Sequence, residues 1–222
     1  MGGLSNMEKN NTKVSKKIIE RLTKYLKCLE NFSLDDYISS EEMGGLLGIT
    51  AAQIRKDFSN FIPDFQFNFG VRGKGYQVKS LAKALEQILG LHKENNIIIV
   101  GAGQLGGAIL QEGDFIKNGF NVVGIFDIAK NKIGKEYRGI KVKSIYEIEN
   151  LVKDIDVDIA VITESKPIAQ EMADLIVSSG IKSILNFTPM EIKVPKNIAI
   201  SHIDLNSKLQ ELNYWKEKVK NI

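Results

Sequence analysis

The chain has 222 residues, 43% of them hydrophobic and 26% charged, with a formal net charge of +3. This composition lies in the ordinary globular range and excludes disordered and fibrous classes, and the length suits one large or two small domains. The apolar runs, such as Ile97 to Val100 and Ile159 to Ile162, fall far below the roughly 18 residues that a membrane helix needs, so no membrane span is expected. The segment holding Lys9, Lys13, Lys16 and Lys17 lacks the apolar core of a secretory signal. Cys28 has no second cysteine to bond with, and neither it nor His92 and His202 stands at metal-ligand spacing. No metal is expected, and the reducing cytoplasm fits best. Charge is unevenly spread: residues 1 to 85 hold 13 Lys and Arg against 9 Asp and Glu, whereas residues 86 to 222 hold 17 against 18. The basic excess at the front suits a nucleic-acid-binding domain there.

Residues 1–14 read as a loose tail. Ile18, Ile19, Leu22, Tyr25, Leu26 and Leu29 recur at three- and four-residue steps and predict an amphipathic helix from about Ser15 to Glu30. Ser39 and Glu42 make a capping box before Met43, Leu46 and Leu47, and Gly48 closes that short helix. Thr50 and Gln53 make a second box, opening a helix with Ile54, Phe58 and Phe61 on one face. Two short helices joined by a Gly-containing turn form a helix-turn-helix, at about 39–61. Beyond Pro63, Phe65, Phe67 and Phe69 alternate with polar residues as in a strand, and Tyr76 and Val78 open a return strand. The hairpin, at about 65–79, is a wing whose tip carries Arg72 and Lys74. Leu81 to Leu89 is a further helix, and the winged-helix domain ends near residue 90.

From Ile97 the pattern becomes apolar strands alternating with helices: Ile97 to Val100, Val122 to Phe126, Ile159 to Ile162 and Ser183 to Leu185, with helices Leu105 to Asn118, Ser144 to Lys153 and Pro167 to Ser179. Fully apolar strands imply a sheet covered on both faces, as in doubly wound α/β domains. This domain spans 91–204. The last segment, 205–222, is a helix whose stripe of Leu205, Leu209, Leu212 and Val219 needs a partner surface. Ile18, Leu22 and Leu26 offer a facing helix, and a second subunit can supply it. The expected fold class is therefore α/β, with an N-terminal winged helix, a Rossmann-like doubly wound domain and a C-terminal dimerisation helix exchanged in a homodimer.

Two constellations carry chemistry. Gly101, Gly103 and Gly106 follow a buried strand and open a helix, forming G-x-G-x-x-G; the glycines allow a tight turn, close approach of a pyrophosphate and helix–strand packing. The helix N-terminus supplies amides for phosphates. The second strand ends in Asp127, 21 residues past Gly106, where an adenosine ribose would sit. Its carboxylate favours NADH or NAD+ over the 2′-phosphorylated forms, although Lys130 and Lys132 lie close enough in sequence to keep those open. In the third helix, Gln53, Arg55 and Lys56 would enter a major groove, where Gln reads adenine and Arg or Lys reads guanine or holds phosphate. Arg72 and Lys74 fit a narrow minor groove, together with Gly73, Gly75 and Tyr76, while Ser40 and Thr50 join the DNA-facing set from the starts of two helices.

Three readings fit these residues: a dinucleotide-sensing DNA-binding regulator, a small NAD-linked oxidoreductase with an accessory domain, and a regulator whose Rossmann domain no longer senses NADH. A dehydrogenase needs an acid or base and a substrate compartment beside the nicotinamide. Lys166, Glu164 and Asp204 form no such constellation, and the short stretch after Asn186, read as one strand and one helix, leaves no room for a catalytic domain. No catalytic residue is assigned, and the regulator is the expected function.

Taken together, the segments Arg21-Leu22, Tyr25-Leu26, Ile38 to Glu42, Ala52 to Ser59, Phe69 to Tyr76, the glycine motif, Asn118-Gly-Phe, Phe126-Asp127, Ile133-Gly134, Ile184 to Phe187 with Pro189, and Ile203 to Leu205 resemble the Rex family of bacterial redox-sensing transcriptional repressors. The resemblance implies a homodimer that binds an inverted-repeat operator in double-stranded DNA and is released by NADH. It implies cofactor contacts from Gly101, Ala102, Gly103, Gln104, Leu105, Gly106 and Asp127, from the loop holding Thr163, Glu164, Ser165 and Pro167, and from Asn186, Phe187 and Thr188. The chain departs from the family at the longer link Ile62 to Asn68, at Glu112 in place of a tyrosine, at Lys27 in place of an arginine that partners Asp204, and at Ser165-Lys166.

Overall fold

The computed structural model describes residues 15–61, 70–111 and 118–219. The expected tail, the strand through Phe65 and Phe67 to Phe69, the Ile62 to Asn68 link and Glu112 lie outside the described residues. The chain divides into two compact units, residues 1–93 and 94–222, a few residues beyond the boundary expected at residue 90.

The first unit contains helices α1 (Lys16–Leu29), α2 (Ser40–Leu47), α3 (Ala51–Ser59) and α4 (Val78–Ile88), with short strands β1 (Tyr37–Ile38), β2 (Gly70–Val71) and β3 (Gly75–Gln77). The strands form an antiparallel sheet in the order β1-β3-β2. The cap residues set the helix boundaries. Ser39 accepts the Glu42 N–H at 3.0 Å, Gly48 closes α2 in the left-handed conformation at φ 65°, and Thr50 accepts the Gln53 N–H at 3.2 Å. Gln53 does not complete the expected box, because its side-chain amide turns along α3 to Asp57. Val78, expected in the return strand, instead begins α4, its N–H donating to the Asp36 carbonyl at 3.0 Å. Leu22, Tyr25, Met43, Ile54, Phe58, Leu81 and Leu85 make one core, with the Phe58 ring edge-on to Tyr25 and Tyr76 at 5.4 and 5.2 Å. Leu22 is fully buried there, and Ile18 and Leu26 pack against the same core. Ile18 and Leu26 stay partly exposed on that face of α1.

The second unit is a seven-stranded sheet in the order β10-β9-β8-β4-β5-β7-β6. Its strands are β4 (Asn95–Val100), β5 (Phe120–Asp127), β6 (Glu136–Tyr137), β7 (Ile140–Ser144), β8 (Ile159–Ile162), β9 (Ser183–Asn186) and β10 (Ala199–His202). All neighbours run parallel except β6 and β7. Helices α5 (Gln104–Gln111), α6 (Ile148–Asp154) and α7 (Lys166–Ser178) cover it; the part of the first expected helix beyond Gln111 falls mostly outside the described residues. Ile98, Val100, Phe126, Ala160 and Ile162 face one layer with Ile148, Met172 and Ile176. Ile97, Ile99, Ile125 and Val161 face the other with Ile109 and Leu110. This two-sided burial is why the strands read as unbroken apolar runs. On the second face, Ile97, Phe120, Ile159, Val161, Leu185 and Ile200 line an open apolar cavity of about 400 Å³.

The chain ends in α8 (Leu205–Val219), capped by Asp204, whose carboxylate accepts from the Asn206 and Ser207 N–H groups and the Ser207 hydroxyl. Leu205, Leu209, Leu212, Trp215 and Val219 on this helix are all exposed.

Candidate nucleic-acid interface and dinucleotide site

In the first unit the candidate DNA-facing residues gather on α2, α3 and the β2–β3 hairpin. Arg72, Gly73 and Lys74 form the exposed tip, closed by a Lys74 N–H to Val71 carbonyl bond of 3.0 Å. Lys74 Nζ stands 5.4 Å from the centre of the Tyr37 ring, a cation–π contact that steadies the tip. The hairpin is pressed onto the start of α2: a Cβ at Gly75, whose φ is 94°, would lie 2.6 Å from the Ile38 carbonyl oxygen. Arg55 and Lys56 are exposed on α3. Ser40 is buried, with its hydroxyl already engaged by Arg55 and Glu41, so it does not stand open to a phosphate.

Sequence reasoning gave no role to Asp57, yet it organises α3. Its carboxylate, fully buried, takes the Arg21 Nε–H at 2.5 Å and an Nη2–H at 2.6 Å, the Tyr25 hydroxyl at 2.7 Å and the Gln53 amide at 2.8 Å. Burial alone would raise its pKa, but the bonds from Arg21, Tyr25 and Gln53 outweigh that and hold it below the usual carboxylate range. The periodicity that places Asp57 beside Ile54 and Phe58 on the inner face was the available signal.

In the second unit the strand order reverses between β4 and β8, because β4, β5 and β7 step one way and β8, β9 and β10 the other. In such sheets ligands bind in the crevice beyond the carboxyl ends of the strands at that point. Gly101 follows β4 and Thr163 follows β8, and the Thr163 hydroxyl donates to the Gly101 carbonyl at 2.8 Å. A Cβ at Gly106 would overlap the Gly101 carbonyl oxygen, so α5 can pack this closely only through glycine. A Cβ at Gly103 would meet nothing, leaving the backbone open to a ligand where the α5 amides begin. Ala102 is buried, while Gln104 and Leu105 are exposed at the mouth.

Asp127 is buried at the end of β5, accepting from the Ala102 and Ala129 N–H groups at 2.8 Å each and from Lys132 Nζ at 2.7 Å. Burial works to raise its pKa, but Lys132 and the two amides prevail and lower it. Lys132 is thus no solvated loop residue; Lys130 is exposed. Beside this pair, Glu164 Oε1 is the one buried side-chain polar atom among the described residues without a hydrogen-bond partner. Burial, and then the Asp127 charge, push the Glu164 carboxyl upward. Ser165 and Pro167 are exposed at the start of α7.

Asn186 and Thr188 are buried and bonded to one another: Asn186 Oδ1 accepts from the Thr188 N–H and hydroxyl, and its amide serves the Met190 carbonyl and His202 Nδ1. These bonds order one corner of the site, and Phe187 beside them is only partly buried.

A winged helix-turn-helix with a basic wing, followed by a doubly wound sheet with a glycine loop at its switch point, defines a nucleic-acid-binding regulator with a nucleotide-binding domain. The family model described as "CoA binding domain" matches residues 92–190, and that described as "Putative DNA-binding protein N-terminus" matches residues 13–59. The chain is 41% identical over 203 residues to the redox-sensing transcriptional repressor Rex of Caldicellulosiruptor saccharolyticus, covering 90% of each chain. Identity to that of Clostridium novyi is 36% over 210 residues, covering 94% of this chain and 97% of the relative. Among solved structures it is similar to RSP, a Rex-family repressor. The complex of RSP with β-NAD+ and operator DNA gives a TM-score of 0.85 at 38% identity, covering 94% of this chain and 95% of that one. The β-NADH complex gives 0.82 at 36%, covering 94% and 97%. The chain belongs to the Rex family of redox-sensing transcriptional repressors.

Proposed function

We propose that this chain is a cytoplasmic transcriptional repressor that binds an inverted-repeat operator as a homodimer and is released when NADH occupies its Rossmann domain. The observation that carries the reading is the presence, in one polypeptide, of a capped helix-turn-helix with a basic wing and of a switch-point glycine loop beside Asp127 and the unpartnered Glu164 Oε1. The residues fit a dinucleotide: Gly103 leaves room for the pyrophosphate, the α5 amides face it, and Asp127 and Glu164 offer acceptors for ribose hydroxyls. The three donors on Asp127 keep its carboxylate ionised and fixed in place.

The operator contacts are assigned to Gln53, Arg55 and Lys56 on α3 and to Arg72 with Gly73 on the wing. One structure of RSP is a complex with β-NAD+ and operator DNA and another a complex with β-NADH, which agrees with two alternative states. A band shift on an inverted-repeat duplex tests the reading. Binding is expected without NADH and loss of the band when NADH is added. A chain that shifts no duplex selectively, or holds its duplex unchanged in saturating NADH, would refute it.

Asp127→Ala is expected to weaken NADH severalfold or more while NADPH holds or gains, because the ribose loses its acceptor and Lys132 is left as an unpaired cation beside the 2′ position. Calorimetry with both nucleotides checks this. Unchanged affinity for each removes Asp127 from the site, and parallel loss of both marks it as purely structural.

A further inference from the structure

Arg55, the candidate guanine reader of α3, does not stand alone. Its Nη1 donates to Ser40 Oγ at 2.7 Å and to Glu41 Oε1 at 2.8 Å, and Ser40 Oγ in turn donates to Glu41 Oε2 at 3.1 Å. Two residues of α2 thus hold one guanidinium of α3. The anchor is firm on one side only: Ser40 is 6% exposed, whereas the Arg55 and Glu41 side chains are 53% and 68% exposed. An ion pair so open to water adds little stability, so its consequence lies in orientation. With Nη1 held, the Nε and Nη2 edge has no hydrogen-bond partner among the described residues, and a guanidinium edge of this kind matches O6 and N7 of guanine in a major groove.

We propose that Glu41 is a specificity-determining positioning residue, which with Ser40 aims Arg55 at one base pair of each half-site. The proposal rests on the DNA-binding reading above. It has a signature that separates it from a merely solvated acidic surface. A carboxylate beside the DNA repels phosphates, so removing it strengthens sequence-independent binding. If Glu41 also aims Arg55, the same change lets the guanidinium swing to phosphates and lowers discrimination at the base pair it reads. Non-specific affinity and specificity then move in opposite directions. A plain solvated glutamate would raise affinity for every sequence alike.

The test uses the full chain. Selection from a random duplex pool gives the preferred site of the wild type, and Arg55→Ala marks the base pair whose preference depends on that side chain. Glu41→Ala is expected to lose about tenfold in discrimination at that same pair, within the range a bidentate base contact supports, with equal or tighter binding to random-sequence duplex. Glu41→Gln keeps an acceptor for the Arg55 N–H and is expected to recover part of the loss. In an Arg55→Ala background, Glu41→Ala is expected to change discrimination no further. Glu41 is exposed in the first turn of α2, so the variants fold, as circular dichroism verifies. Wild-type preference with an unchanged ratio in Glu41→Ala removes the inference alone, as does a full loss that persists without Arg55. A wild-type chain with no sequence preference takes down the DNA-binding reading and the inference together.

Discussion

A chain cut after Asp204 is expected to sediment as a monomer and to lose the operator along with its partner. The reason is the surface that α8 leaves in water: Leu205, Leu209, Leu212, Trp215 and Val219 are each about three-fifths exposed or more, and single chains rarely carry so continuous an apolar stripe. Fully burying one such side chain contributes about 1.5–3 kcal/mol. Five from each of two helices supply a gain of the same order as, or larger than, an association cost of roughly 4–15 kcal/mol. The cavity lined by Ile97, Phe120, Val161, Leu185 and Ile200 is a further apolar surface, on the sheet. A two-fold dimer would also set two recognition helices at the spacing an inverted repeat requires. Sedimentation and band shift on the truncated chain decide the matter; a dimer that held the operator at wild-type affinity would defeat this expectation.

The second large effect is expected at Asp57. Asp57→Ala leaves the Arg21 guanidinium without its carboxylate and the Tyr25 hydroxyl and Gln53 amide without their acceptor. Breaking a buried pair by removing one member typically costs about 3–5 kcal/mol. The Arg21 side chain retains 22% exposure and can rehydrate in part, so a loss of about 3 kcal/mol is expected. Amide exchange of α1 and α3 measures it without interference from the second unit. The pH dependence follows from the lowered pKa. The stabilisation is complete at neutral pH, begins to fall as pH drops past the unfolded Asp value of about 3.9, and is gone once pH passes below the folded value. A variant as stable as the wild type at pH 7, or a wild type whose first unit gains stability on acidification below that value, would be incompatible with this account. Gln53, freed from Asp57, should also hold the operator less well.

These elements differ in how legible they were. Ser39, Gly48 and Thr50 announced the helix-turn-helix because a cap is a local event, settled within four residues of chain. The glycine loop was legible for the same reason, since strand, turn and helix follow one another without a gap. β1 was not, because it is a two-residue strand held by pairing to β3 from 38 positions further along. The β6–β7 hairpin left a clearer trace that was passed over: Ile140, Lys141, Val142 and Lys143 alternate, behind a turn of Arg138 at φ 49° and Gly139 at φ 81°. The site followed the same division. Asp127 was found from its distance to the glycines, but its partner Lys132 required the fold. Arg21 and Tyr25 reach Asp57 from 36 and 32 positions away, and Ser40 and Glu41 reach Arg55 from 15 and 14, and nothing in local composition announces such pairings.

The glycine loop is fixed at its start by three hydrogen bonds. The Gly101 N–H donates to the Phe126 carbonyl at 2.8 Å, the Gly101 carbonyl accepts from Thr163, and the Ala102 N–H is fixed on Asp127. A loop already in its binding shape loses little conformational entropy when occupied, and association need not wait for a segment to order itself. Occupancy of the site can therefore follow a change in nucleotide concentration at the pace of molecular encounter.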